Sequence, residues 1–179
     1  MDAKPCIASL AVKNSNVLPP DTNNHGTLFG GKLMAYIDDI AAIAAKRHAR
    51  KNVVTASTDS VDFLSPIKEG DSICLEAIVT WTHNTSMEVF VKAITEDLLT
   101  GERKVCTTAF ITMVALDENN KPTKVPSVYP ETEEEKMLHQ EGANRAAHRK
   151  ERRKKSKEMA NTFGTDFPWN EHSRFGSKH

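Results

Sequence analysis

The apolar pattern of this chain is first that of a buried helix and then that of strands. From Leu33 to Ala45 the sequence reads LMAYIDDIAAIAA, rich in good helix formers and free of Pro and Gly. Leu33, Ile37, Ile40 and Ala44 share one face, flanked by Met34, Ala41, Ala45 and His48. Apolar positions continue so far round the cylinder that the spacing predicts a helix buried on most sides. Its alanines would let strands approach closely, and Lys46, Arg47 and Arg50 stand where cations complement a helix C-terminus. Ahead of the helix, Pro19 to Thr27 (PPDTNNHGT) is turn chemistry that extends neither a helix nor a central strand, and Phe29, Gly30 and Gly31 follow it.

After the helix the period changes to that of strands. Residues 53–64 (VVTASTDSVDFL) are rich in β-branched types, and Pro66 with Gly70 and Asp71 marks a turn. Residues 72–82 alternate, with Ile73, Leu75, Ala77, Val79 and Trp81 expected on one face. A connection at His83, Asn84 and Thr85 leads to strands over 86–95 and 104–116, joined through Leu98 to Arg103. One long helix followed by a long antiparallel meander predicts an α+β fold in which a curved sheet wraps the helix.

Beyond Asp117 the chain changes character. Pro122, Pro126 and Pro130 punctuate an extended segment, and Thr132 is placed to cap a helix opening on Glu133, Glu134 and Glu135. That helix is expected to run on through 145–157, which holds eight Lys or Arg and one Glu and lacks the apolar periodicity of a core element. Residues 161–179 read as a polar, mobile tail carrying Phe163, Phe167, Trp169 and Phe175. The expected organisation is therefore a domain over 1–130, a charged helical extension over 131–160 and a tail over 161–179.

Charge and cysteine usage narrow the function classes. Lys plus Arg equals Asp plus Glu at 24 each, so no global basicity points to nucleic acid. No segment is long and apolar enough to span a membrane, and the first ten residues do not resemble a secretory signal. Cys6, Cys74 and Cys106 are widely spaced without a C-x-x-C, which reads as reduced thiols in a cytoplasmic protein. His25, His48 and His83 show no metal-ligand spacing, so no metal is expected. Ser57 and Ser86 stand outside any G-x-S-x-G elbow, and no Walker or dinucleotide glycine motif is present.

The chemistry concentrates on Asp38 and Asp39, the only charged side chains between Leu33 and Ala45. A desolvated, unpaired carboxylate is costly, so such an acid is paired, exposed or functional. Adjacent helical residues point about 100° apart, so the two acids serve different surfaces: one a cleft, the other a partner. Gly30 and Gly31 at the helix start leave backbone N–H groups open to an oxyanion, with Asn23 and Asn24 nearby as side-chain amides. A buried ion pair at a subunit contact and an Asx-rich loop packed on a strand are the purely structural alternatives.

These segments, taken together, resemble hotdog-fold acyl-coenzyme A thioesterases, in particular the bacterial short acyl-CoA hydrolases and the repeated domains of the mammalian cytosolic enzyme. The resemblance is carried by Asp21-Thr22-Asn23, His25 to Gly31 (HGTLFGG), Leu33-Met34, Ile37-Asp38, Asn52 to Ser57 (NVVTAS), Asp62-Phe63, Ile67 to Asp71 (IKEGD), and Asn84 to Glu88 (NTSME). It extends to Val125-Pro126 and to Pro130-Glu131-Thr132-Glu133, and covers roughly residues 8 to 150.

The resemblance implies paired subunits with continuous sheets, assembly as a trimer of dimers, and active sites at the dimer interface. It puts the catalytic carboxylate on Asp38 and the catalytic asparagine on Asn23, contributed by the opposite subunit. The N–H of Gly31, or one beside it, would polarise the thioester carbonyl, and Asp38, made more basic by partial desolvation, would act as general base or as nucleophile. The implied substrate-binding residues are His25, Gly30, Phe63, Thr85, Ser86 and Met87, with Arg145, Arg149 and Arg152 as candidates for the coenzyme phosphates. No cofactor is implied beyond the coenzyme A of the substrate. A non-hydrolytic acyl-CoA-binding or sensing module and a different thioester enzyme on the same fold are the rival readings.

Overall fold

The computed structural model describes residues 2–165. The chain divides into two units, residues 1–142 and 143–179. In the first, β1 (Lys4–Pro5) and β2 (Ala11–Asn16) precede helix α1 (Gly30–Ala49), followed by β3 (Asn52–Phe63), β4 (Ser72–Thr82), β5 (Ser86–Glu96) and β6 (Arg103–Leu116). A short β7 (Val128–Tyr129) and helix α2 (Glu133–Gln140) complete it, and α3 (Gly142–Ala160) starts at its boundary.

Five strands form one antiparallel sheet in the order β2-β4-β5-β6-β3. The inward rows Ile73, Leu75, Ala77 and Val79 of β4, Met87, Val89, Val91 and Ala93 of β5, and Ala109, Ile111, Met113 and Ala115 of β6 are all buried. They cover the α1 face made of Leu33, Ile37, Ile40, Ala41, Ala44 and Ala45, where alanine lets the backbones come close. The α+β fold is as the sequence predicts.

The expectation of a helix buried on most sides needs correction. Met34, Asp38, Asp39 and Ile43 of α1 are exposed, and so are Val54 and Phe63 of the neighbouring edge strand β3. The sheet covers one side of α1 and leaves an apolar flank open along α1 and β3.

Three further departures have local causes. A register shift between Val79 and Trp81 brings Trp81 opposite Glu88, out of the buried row that ends at Val79. The Trp81 ring lies against Gly142, where a Cβ would stand 2.4 Å from it, and stacks on His83 at 5.9 Å. The charged extension is two helices, α2 and α3, broken at Glu141. Thr132 caps α2 as expected, in a capping box with Glu135, and Leu138 and Glu135 are buried, so this part does contribute to packing. The expected tail over 161–179 lies, from residue 166 onward, outside the described residues.

The C-terminal end of α1 ties down the N-terminal segment and the segment that leads into β7. Arg50 closes the helix in the left-handed region (φ 54°), its N–H bonded to the Lys46 carbonyl at 2.8 Å. Lys4 donates to the His48 carbonyl at 2.6 Å, and the His48 ring bonds the Pro126 carbonyl at 2.9 Å. Beside them β1 pairs with β7 in parallel.

Candidate active site

The two adjacent acids of α1 part as their helical angle requires. Asp39 pairs with Lys13 of β2 at 2.7 Å, and that lysine also lies 4.8 Å from the centre of the Tyr36 ring. Asp38 turns instead to β3, where the Thr55 hydroxyl donates to its Oδ1 at 2.6 Å. Thr55 Oγ1 also lies 3.5 Å from the Met113 sulfur, so the pair stands over the end of the buried row. Asp38 is exposed in this chain, and the partial desolvation expected from its apolar neighbours is therefore not present in the single subunit.

The loop ahead of α1 is built around Asn23. Its Oδ1 accepts from the His25 N–H at 2.9 Å, an Asx turn, while its Nδ2 donates to Thr27 Oγ1 at 2.9 Å. Gly26 takes φ 69° to close this turn, and the Thr27 carbonyl accepts from the Asn23 N–H at 2.8 Å. Leu28 N–H then bonds the Ile67 carbonyl at 2.8 Å, anchoring the loop on the turn before β4. Asn24 and His25 are exposed beside Asn23.

Helix α1 begins at Gly30 with no side-chain cap. The N–H groups of Lys32 and Leu33 turn back to the Phe29 carbonyl, which leaves those of Gly30 and Gly31 directed off the helix end. A Cβ on Gly31 would stand 2.5 Å from the ring of Phe29, so a side chain there would have to push that exposed ring aside. Below this end lies a cleft of about 380 Å³ lined by Thr27, Leu28, Gly30, Leu33, Phe63 and Leu64 among others. Ser65 also lines it, and its hydroxyl is buried without a partner among the described residues.

These parts do not meet within one chain. Gly31 and Asp38 are seven residues apart on α1, about 10 Å along the axis. The Asn23 amide is engaged with its own loop, and Phe63 lies by Gly30 at the helix start. Of the other expected contacts, Thr85 and Ser86 lie partly exposed at the β4–β5 connection, whereas Met87 is fully buried and faces the core. Arg145, Arg149 and Arg152 belong to α3, in the second unit. Thr55 was not singled out by sequence reasoning: a threonine in a β-branched run looks like an ordinary strand former. Among the described residues no group of three His, Cys, Asp or Glu side chains is gathered as a metal site would need.

Comparison with known proteins places this arrangement. Residues 25–102 match the Thioesterase superfamily. The chain is 61% identical over 164 residues to a Bacillus subtilis protein named "Uncharacterized acyl-CoA thioester hydrolase YkhA", covering 92% of this chain and 95% of that one. The chain belongs to the acyl-CoA thioester hydrolase family. It is also 37% identical to the rat cytosolic acyl coenzyme A thioester hydrolase over 75% of its own residues, spanning 36% of that longer protein.

Solved structures of the family share the hotdog fold with it. A Staphylococcus aureus acyl-CoA hydrolase in complex with butyryl coenzyme A, coenzyme A and coenzyme A disulfide superposes with a TM-score of 0.86 at 46% identity, over 89% of this chain and 97% of that one. An apo-hexameric acyl-CoA thioesterase superposes at 0.83 with 52% identity, over 85% of this chain and 97% of that one. Three single alanine variants of the S. aureus hydrolase match at 45% identity with TM-scores of 0.86 to 0.87, over 89 to 90% of this chain and 96 to 99% of theirs. They replace an aspartate, an asparagine 15 residues before it and a threonine 17 residues after it. No described helix of this family member is long and apolar enough to cross a membrane.

Proposed function

We propose that this protein hydrolyses acyl-CoA to a fatty acid and free coenzyme A at a site assembled from two copies of the chain. The observation that carries the reading is the Asp38 carboxylate, held at 2.6 Å by Thr55 on an open flank of the helix. Asn23, Asp38 and Thr55 also keep the separations, 15 and 17 residues, of the residues replaced in the S. aureus variants.

In this mechanism Asp38 takes a proton from water, or attacks the thioester carbon itself to form an anhydride that water then cleaves. In the base route water oxygen bonds the acyl carbon as Asp38 takes its proton, the C–S bond breaks, and the departing thiolate of coenzyme A recovers that proton. In the anhydride route the C–S bond breaks as the Asp38 oxygen bonds the carbon, and water then cleaves the anhydride to the fatty acid and free Asp38. Thr55, by donating to Oδ1, fixes the carboxylate and directs Oδ2 to the reacting atom. The helix start of a second copy supplies what this chain holds too far away: the Gly31 N–H for the developing oxyanion and Asn23 to orient water or carbonyl. No cofactor takes part, because thiolate is already a good leaving group.

A two-copy site is supported by the flank itself. Met34, Ile43 and Val54 are exposed beside Asp38 and Thr55, and β3 is an edge strand with backbone groups available for pairing. Pairing there would desolvate Asp38, and three such pairs would form the hexamer of the solved relative. The cleft under Gly30, with Phe63 and Ser65, would take part of the pantetheine or acyl chain; His25, Thr85 and Ser86 would border the path, and Met87 would support it from the core. Arg145, Arg149 and Arg152 would meet the coenzyme phosphates. Free Cys6, Cys74 and Cys106 support a reducing, cytoplasmic setting.

The test is thiol release from acyl-CoAs of increasing chain length, wild type beside Asp38→Asn. Turnover by wild type that is lost in the variant supports the assignment. Tight binding without release from any acyl-CoA would instead make the chain a non-hydrolytic binding module.

A further inference from the structure

Helix α3 separates charge in a protein whose net charge is zero. Residues 143–160 hold eight Lys or Arg against two Glu, a net of +6. The rest of the chain holds 16 against 22, a net of −6. Within the helix the cations are sorted as well. Lys150, Arg153, Lys154 and Lys157 follow the i, i+3, i+4, i+7 spacing of a single stripe. Arg145, Arg149 and Arg152 form a second cationic row further round the helix. Glu151 and Glu158, seven apart, lie on the other flank of the stripe, where Lys155 pairs with Glu151 and the stripe's own Lys154 pairs with Glu158.

Every residue from Lys150 to Ala160 is exposed, so this stripe serves no core. Like charges three and four apart on a helix repel and weaken it. An opposing anionic surface would turn that repulsion into attraction. The stripe contains no large apolar side chain, so it suits contact at a charged surface and not insertion. Next to it the character changes: Met159 and Phe163 are exposed at the helix end, and 4 of the chain's 11 aromatic residues stand in its last 17 positions. Exposed Met159 and Phe163 at the end of a polybasic helix favour the interface of a lipid bilayer over a nucleic-acid backbone.

We infer that the α3 stripe Lys150, Arg153, Lys154 and Lys157 binds the surface of an anionic lipid bilayer. The other residues carry a net −6, so the electrostatic attraction to that surface comes from α3. The inference does not depend on the acyl-CoA reading, because none of these four residues takes part in it.

The experiment is co-sedimentation of the full chain with large vesicles of phosphatidylcholine, with and without 30% phosphatidylglycerol. A cation near an anionic leaflet changes partition by about fivefold. Binding is expected to require phosphatidylglycerol and to fall by about tenfold or more at high salt. Lys150→Glu with Arg153→Glu is expected to weaken it by more than about tenfold, and Lys150→Arg to preserve it. Thiol release from a soluble short-chain acyl-CoA without vesicles should stay unchanged in both variants. Equal binding to pure phosphatidylcholine, no binding at low salt, or undiminished binding by the double variant would overturn the inference. Tighter binding to a nucleic-acid duplex than to the anionic vesicles at equal salt would overturn it too, reassigning the stripe.

Discussion

Thr55 Oγ1 and Asp38 Oδ1 are joined across 2.6 Å, strand to helix, at a place where neither residue is covered by its own chain. A charge-assisted hydrogen bond of this length fixes the carboxylate rotamer. Asp38→Ala removes the reacting group and is expected to lower kcat by about a thousandfold or more. Thr55→Ala leaves the group and frees its orientation, so a smaller loss of about 10 to 100-fold is expected, with Thr55→Ser retaining most activity. Thiol-release kinetics on the three variants, with thermal melts as the folding control, check the ranking. A Thr55→Ala enzyme as active as wild type would remove Thr55 from the site.

Asp39 provides the matched control. Its pair with Lys13 is more than half exposed on the acid's side and pairs across the open edge of the sheet. Such pairs contribute about 0 to 1 kcal/mol. Asp39→Asn is expected to keep kcat within about twofold and stability within about 1 kcal/mol. Loss of turnover comparable to that of Asp38→Asn would mean that the reacting acid had been misassigned between neighbours.

Asn23 and Asn24 differ in how firmly the loop holds them. Asn23 organises the turn through His25 and Thr27, so its position is set before any ligand arrives. Asn23→Ala is expected to lower kcat far more than Asn24→Ala, measured on the same acyl-CoA. Asn23→Asp, which keeps the acceptor for the His25 N–H but loses the amide donor, separates loop-building from catalysis: it should stay folded and remain slow. The opposite order of Asn23 and Asn24 would transfer the role to Asn24.

Much of this was legible in the residues. The helix pattern over 33–45 lies inside the observed Gly30–Ala49, and the strands predicted at 53–64, 72–82, 86–95 and 104–116 are within a residue of those found. Long elements with one dominant period declare themselves. The edge strand Ala11–Asn16 did not, because after Ala11 and Val12 its residues are polar and half-exposed. Alternation assigns Trp81 to the buried face because a bulge is invisible to a period of two. An apolar pattern also cannot tell a helix face covered by the chain's own sheet from one left open. That is why Met34 reads as a flank of the buried face although it is exposed. Asp38 announced itself as an acid among apolar neighbours, whereas its partner Thr55 carried no such contrast and only the fold brings them together.

His48 supplies the pH prediction. The ring is fully buried and bonded through Nε2 to the Pro126 carbonyl, which can only accept, so Nε2 carries the hydrogen. Nδ1 has no hydrogen-bond partner among the described residues. Protonating it would place an unpartnered N–H and a charge in the core. Burial, aided by the nearby Lys4 cation and opposed by the Pro126 bond, therefore holds the histidine below its usual 6.5. The unfolded chain takes up this proton near pH 6.5 and the folded chain only at lower pH, so between those points the unfolded state binds more protons. The contribution of a neutral His48 is fully present above about pH 6.5 and is lost progressively as the pH falls below it. Urea unfolding from pH 8 to 5 is expected to show a steeper loss of stability in wild type than in His48→Gln, which can still donate to Pro126 but does not titrate. Parallel pH profiles for the two proteins would show that His48 is not the titrating group.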